Sequence, residues 1–287
     1  MAANLIENLK VISNDIKLQH TVFALPFAIV GAFMAGQGSP GAKTILLIIV
    51  AMFFARSSAM AFNRILDSEF DGKNKRTSGR AIPAGLITKK NYYFFFILTS
   101  LFFIATCFFI NHLAFYLAPI ALIIVCFYSY CKRFTALSHL VLGFALSLAP
   151  IGAWIAVNEE LSLTPLLLGA AVMFWLAGFD ILYSLQDMDF DKNMGLHSIP
   201  ESLGVEKSLM LARLFHVIMI LLLYVITYTY PTGWFYYAGI LLCIAFLVYE
   251  HSLVKPSDLT KINIAFFNVN GLLSIFFMVL ILLDIFY

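Results

Sequence analysis

Nine apolar blocks, each about the length of a bilayer crossing, divide this chain: roughly 20–37, 44–66, 92–110, 113–131, 134–157, 163–186, 208–229, 234–250 and 262–283. About 20 apolar residues cross the hydrocarbon core as a helix rising ~1.5 Å per residue. Water is absent there, so every backbone polar group needs an internal partner, and blocks of this length predict helices. Composition agrees: 62% of the 287 residues are hydrophobic and only 12% charged, against roughly 25% charged in a soluble domain. The expected fold class is therefore all-α, a polytopic membrane protein of nine transmembrane helices forming a single integral domain over 1–287. The first block is the least regular, because it begins at His20 and contains Pro26 and Gly31. The first twenty residues are polar or amphipathic, so no cleavable signal peptide is expected. The surroundings are membrane lipids, and no nucleic-acid signature is present.

Basic residues set the expected orientation. With nine spans and the N-terminus inside, the cytoplasmic segments hold fourteen Lys and Arg residues, from Lys10 and Lys17 to Lys255 and Lys261, and the opposite loops hold only Lys43. That asymmetry is a strong positive-inside bias. Cys107, Cys126, Cys131 and Cys243 fall inside spans or at their ends without metal spacing, and are expected to pack rather than pair.

Two sets of carboxylates stand where the apolar blocks end. The first is Asn63, Asp67 and Asp71; the second is Asp187 and Asp191. On a helix the first three lie within ~80° of one another and the second two within ~40°. Carboxylates in such positions are costly, and are by default functional candidates. Two oxygen-rich ladders facing one cavity suit Mg²⁺ that also holds a diphosphate, since Mg²⁺ usually takes one or two carboxylates plus substrate phosphates. The residues thus point to a membrane-embedded enzyme acting on a diphosphate ester. Glu69 and Asp189 fall on other faces and are expected to be solvated or peripheral.

Each ladder runs into a basic loop containing Gly and Pro, 72–90 in the first case and 192–207 in the second. This pattern suggests two similar halves, about 1–133 and 134–287. Each half also sets a charge two turns deeper than its ladder: Arg56 precedes Asn63 by seven residues, and Asp180 precedes Asp187 by seven. Inside hydrocarbon these two either line a cavity or form a buried ion pair with each other. Lys132 and Arg133 end the fourth span, and Arg76 and Arg80 sit in the first loop. All four suit phosphate oxygens, Arg through its planar fork and Lys as a point charge, and all also serve the positive-inside rule. Asn263, Asn268 and Asn270 are expected to hydrogen-bond between helices.

The pattern Asn-x-x-x-Asp-x-x-x-Asp at 63–71, Asp-x-x-x-Asp at 187–191, Tyr-x-x-x-Lys-Arg-x-Thr at 128–135 and Gly-Leu-His-Ser-Ile-Pro at 195–200 resembles the UbiA superfamily of intramembrane aromatic prenyltransferases. Within it the chain is most similar to 4-hydroxybenzoate polyprenyltransferases. The resemblance covers essentially the whole chain. One departure is Arg64, where many members carry a second Asp. The resemblance implies nine helices around a central cavity, a cytoplasmic cap at its mouth, a lateral opening for the prenyl tail, and a bacterial inner (plasma) membrane location. It implies that Asn63, Asp67, Asp71, Asp187 and Asp191 bind Mg²⁺–diphosphate, that Lys132, Arg133, Arg76 and Arg80 contact phosphate, and that Arg56 receives the carboxylate of the aromatic acid. Asp180 and Tyr183 then orient the phenol or assist proton removal. The expected substrates are a polyprenyl diphosphate and a small aromatic acid, in quinone biosynthesis. A dihydroxynaphthoate of a menaquinone pathway is the alternative acceptor. A transporter is a more distant alternative, since transporters bind near the midplane at broken helices, whereas these carboxylates gather near one face.

Overall fold

The computed structural model describes residues 2–16 and 23–287. Lys17 and His20, and with them the start of the first expected span, lie outside the described residues. The helices are α1 (Ala2–Asp15), α2 (Leu25–Ala35), α3 (Ala42–Lys73), α4 (Lys89–Ile110), α5 (His112–Cys131) and α6 (Ser138–Asn158). There follow α7 (Leu163–Ser184), α8 (Met188–Met194), α9 (Ile199–Ile226), α10 (Trp234–Leu253) and α11 (Asn270–Phe286). Among the described residues, eight helical stretches are long and apolar enough to cross a membrane. The ninth expected span is represented by α2, whose 11 residues rise only about 16 Å.

Two spans depart from regular α-helix. A 3-10 turn, Leu185–Asp187, separates α7 from α8, so the second ladder is not carried on one continuous helix as its spacing suggests. A π-helical turn, Ile264–Val269, leads into α11; such turns are rare and frequently mark functional sites.

Local chemistry fixes the element ends. Thr88 caps α4 by accepting the Asn91 N–H at 3.3 Å, and Ser198 caps α9 by accepting that of Glu201 at 3.3 Å. Asn111 acts twice: its Oδ1 accepts the Ala114 N–H at 2.8 Å, and its Nδ2 donates to the Ile155 carbonyl at 2.8 Å. It thereby starts α5 and ties it to the end of α6. Gly204 interrupts α9 with φ 75 and ψ 175, a conformation essentially confined to glycine. At the α2–α6 crossing, a Cβ on Gly31 would stand 2.6 Å from the Pro150 carbonyl oxygen, so only glycine permits that approach.

The main apolar core gathers around Trp175, fully buried between Phe27, at a ring distance of 5.0 Å, and Phe179, at 4.9 Å. Within lipid such burial gains contact density rather than release from water, so interlocking shape is what holds the bundle. Trp175 Nε1 donates to Asn270 Oδ1 at 2.8 Å, and Asn270 Nδ2 donates to the buried Glu250 carboxylate at 2.7 Å. Of the three asparagines expected to bridge helices, Asn270 does so, while Asn263 and Asn268 are exposed.

Contacts between the helix ends place the connections 74–88, 132–137, 195–198 and 254–263 at one end of the bundle. The connections near 111, 159–162 and 227–233 lie at the other. The basic loops therefore share the end that carries both ladders.

Candidate active site

Both ladders open on one cavity of about 240 Å³ at the basic end of the bundle. The lower turns of α3 supply Asn63, Asp67 and Asp71, the α7–α8 junction supplies Asp180, Tyr183, Asp187 and Asp191, and the α5 end supplies Lys132 and Arg133. Arg76 and Arg80 close it from the 74–88 loop. All eleven of these side chains sit within polar reach of a partner across the cavity or beside it. Despite the 3-10 turn, Asp187 and Asp191 still face the same space, because the tighter turn is followed at once by α8.

Each ladder carboxylate is matched to one cation. Arg76 grips Asp187 with Nη2 at 2.6 Å and Nε at 3.0 Å, while its Nη1 donates to the Tyr183 hydroxyl at 3.1 Å. Burial works against the Arg76 charge, but the bonds to Asp187 and its negative charge outweigh that and raise the guanidinium pKa above its ordinary value. Arg80 Nη1 lies 2.7 Å from both Asp71 oxygens. Lys132 Nζ stands 3.3 Å from Asp191, and Arg133 Nη2 stands 3.3 Å from Asp67. Arg133 also packs over the Phe70 ring at 5.0 Å. Asp71, Asp187 and Asp191 are nearly fully buried, a position tolerable for carboxylates only with such partners.

Glu69 and Asp189 are exposed, as their angular positions predict. His197 is exposed, and its backbone N–H donates to the Lys132 carbonyl at 2.7 Å, fixing the 195–198 connection against the end of α5. Arg56 is not in the ladder cavity. It lines a second cavity, of similar volume and mostly apolar wall, that extends away from the ladders between α3, α5 and α6. Tyr128 and Leu142 line both cavities and mark their junction.

Asp180 takes its partner from His139, with Oδ2 and Nδ1 2.7 Å apart. The other imidazole nitrogen, Nε2, accepts the Ile199 N–H at 3.4 Å, so in the neutral ring Nδ1 carries the proton and donates to Asp180. Sequence reasoning missed His139, which lies 41 residues from Asp180 and belongs to no recognisable spacing. It also missed Asn74, whose Nδ2 donates to Asp187 at 3.1 Å.

The donor set suits Mg²⁺: it is all oxygen on one side and cationic on the other, as a metal–diphosphate pair requires. Among the described residues no three His, Cys, Asp or Glu side chains converge tightly enough to hold a metal alone. A divalent ion here needs oxygens from a ligand to complete its shell.

Comparison with known proteins gives a consistent result. A sequence profile of the UbiA prenyltransferase family matches residues 24–280. The chain is 31% identical over 250 residues to the 4-hydroxybenzoate octaprenyltransferase of Edwardsiella ictaluri, covering 87% of each chain. It is 30% identical over 238 residues to the enzyme of the same name from Tolumonas auensis, covering 83% of each. Among solved structures, a UbiA homolog from Aeropyrum pernix superposes with a TM-score of 0.85 at 30% identity, covering 93% of this chain and 98% of that one. A UbiA homolog from Archaeoglobus fulgidus bound to GPP and Mg²⁺ shares the fold, with a TM-score of 0.74 at 20% identity over 96% of this chain and 99% of that one.

Proposed function

The chain belongs to the UbiA prenyltransferase family, and from that premise we propose that it transfers a polyprenyl group from polyprenyl diphosphate to 4-hydroxybenzoate. The observation that carries this reading is the one-to-one matching of four ladder carboxylates with four cations at the mouth of an apolar cavity. Such a cluster is neutral by itself, and a metal–diphosphate ester exchanges both sets of partners at once. The carboxylates turn to the metal, and Arg76, Arg80, Lys132 and Arg133 turn to phosphate oxygens. The names of the relatives support the 4-hydroxybenzoate acceptor.

Mg²⁺ held by Asp67, Asp71, Asp187 and Asp191 supplies neutralisation of the charge that develops on the departing diphosphate. The basic side chains add hydrogen bonds that strengthen as the allylic C–O bond breaks. The bond's electron pair leaves with the diphosphate, and an electron-rich ring carbon of the acceptor attacks the allylic cation. The ring then loses a proton, for which the base is Asp180, the cavity carboxylate held by His139 and not by one of the four cations. The apolar cavity beyond Tyr128 receives the prenyl chain and excludes water, the competing nucleophile. Arg56, in the wall of that cavity, offers a fork for the acceptor's carboxylate. The basic loops at the ladder end favour a cytoplasmic mouth, in a bacterial inner membrane.

The test uses protein purified in detergent with a polyprenyl diphosphate, Mg²⁺ and either 4-hydroxybenzoate or a dihydroxynaphthoate. Prenylated 4-hydroxybenzoate, lost on adding EDTA, is the expected product. Turnover of the naphthoate alone would move the chain to the alternative acceptor, and full activity in EDTA would remove the role given to the ladders.

A further inference from the structure

Arg64, the one departure from the family pattern in the first ladder, is 4% exposed, and its surroundings give it a task. Its Nε lies 3.3 Å from the Asp15 carboxylate and its Nη2 donates to the Asp15 carbonyl at 3.1 Å. Asp15 is the last residue of α1. Its carboxylate also accepts the Ala81 N–H at 3.1 Å and the Tyr92 hydroxyl, so α1, α3, α4 and the 74–88 loop meet on one side chain. Ile12 and Ile16 seal this junction by packing with Ala61, Ile65, Ala81, Ile87 and Tyr92.

The third guanidinium nitrogen faces the ladder. Arg64 Nη1 donates to Asn63 Oδ1 at 3.0 Å, and Asn63 Nδ2 lies 2.7 Å from Asp67 Oδ2. The carboxamide orientation follows from chemistry. Guanidinium only donates, so the atom facing Arg64 is the oxygen; ionised carboxylate only accepts, so the atom facing Asp67 is the amide nitrogen. The same nitrogen is 3.4 Å from Ser129 Oγ. Both ends of the Asn63 amide are therefore engaged, its oxygen by Arg64 and its nitrogen by Asp67.

We propose that Arg64 is a positioning residue that ties α1 to the first ladder, and that Asn63 relays this tie by donating to Asp67 instead of offering an oxygen to the metal. The proposal rests on the reading above that Asp67 belongs to the metal–diphosphate site. With an Asp at position 64, α1 would face a second carboxylate beside Asp15, and the relay would have no donor to fix the Asn63 oxygen.

Two readouts test it on full-length protein in detergent. The first is the Mg²⁺ concentration at half-maximal turnover, measured with the acceptor KM. The second needs no turnover: the rate at which trypsin releases the N-terminal segment by cutting after Lys10, without Mg²⁺ or substrate. Arg64→Ala should raise the half-saturating Mg²⁺ about tenfold or more, speed the release several-fold, and leave the acceptor KM unchanged. Arg64→Lys should fall between, since an ammonium cannot reach three oxygens on two partners at fixed angles. Asp15→Asn, which empties no space, should speed the release even if Arg64→Ala fails to fold. Asn63→Asp should weaken Mg²⁺ use, because a carboxylate there faces Asp67 with like charge. Retained or tighter Mg²⁺ use by Asn63→Asp would overturn the relay and make Asn63 a ligand. Release unchanged in both Arg64→Ala and Asp15→Asn would overturn the tie to α1. Wild-type turnover indifferent to EDTA would instead sink the metal reading itself, and the trypsin result would then decide the tie alone.

Discussion

Asp187 is held by three donors, two from Arg76 and one from Asn74, which makes it the most heavily bonded ladder carboxylate. Asp187→Ala removes a carboxylate proposed to hold the metal and leaves Arg76 without its partner, so kcat/KM should drop by about 10²-fold or more, on the order of 3 kcal/mol. Membrane expression should stay near normal, and steady-state assays beside an immunoblot of membranes check both halves of this statement. Arg56 sits apart from the ladders, with Tyr128 in the wall of the apolar cavity. Arg56→Ala should therefore raise the acceptor KM or depress kcat/KM for the acceptor, with little change in prenyl diphosphate affinity; binding measurements of each substrate separate the two. Weakened diphosphate binding with unchanged acceptor binding would assign Arg56 to the diphosphate and overturn its acceptor role. At this scale the sequence was eloquent about repeated spacings and silent about single partners. Asp67 and Asp71 lie one helical turn apart and announce a shared face. His139 and Asp15 carry no such rhythm, because their partners stand 41 and 49 residues away and meet only through packing.

Hydrophobic block length located the long helices well, since α3 to α7 and α9 to α11 each contain or closely match an apolar run. It gave no warning of the 3-10 turn at Leu185–Asp187 or of the π turn at Ile264–Val269. Both are one-residue changes in helical phase, invisible to a pattern that measures hydrophobicity over some twenty positions. Phe266 of the π turn stacks near Tyr183, their ring centres 4.1 Å apart, so the irregular backbone braces a wall of the cavity. The break in α9 at Gly204 is a sharper case, because its φ 75 and ψ 175 suit no side chain. Gly204→Ala should cost about 1–3 kcal/mol, visible as a lower Tm in detergent. An unchanged Tm would mean that the helix passes through this point without strain.

Across the whole molecule, the basic loops and both ladders share one end. Cysteines introduced at Ser78 and Glu201 should react with membrane-impermeant reagents only from the cytoplasmic side, and one at Glu159 only from the other. The reverse pattern would place the cavity mouth outside the cell. The pairing of the ladders also constrains how the chain can be made. Asp71 finds Arg80 only 9 residues on, but Asp67 awaits Arg133, 66 residues later, and Arg76 awaits Asp187, 111 residues later. At about 5–20 residues per second, the ribosome takes roughly 5–20 s to cover that last interval. Throughout it Arg76 lacks the carboxylate that finally grips it. A charge that waits for its partner costs less in water than in hydrocarbon, so helix ends that still touch water suit the order in which these pairs are made as well as their chemistry.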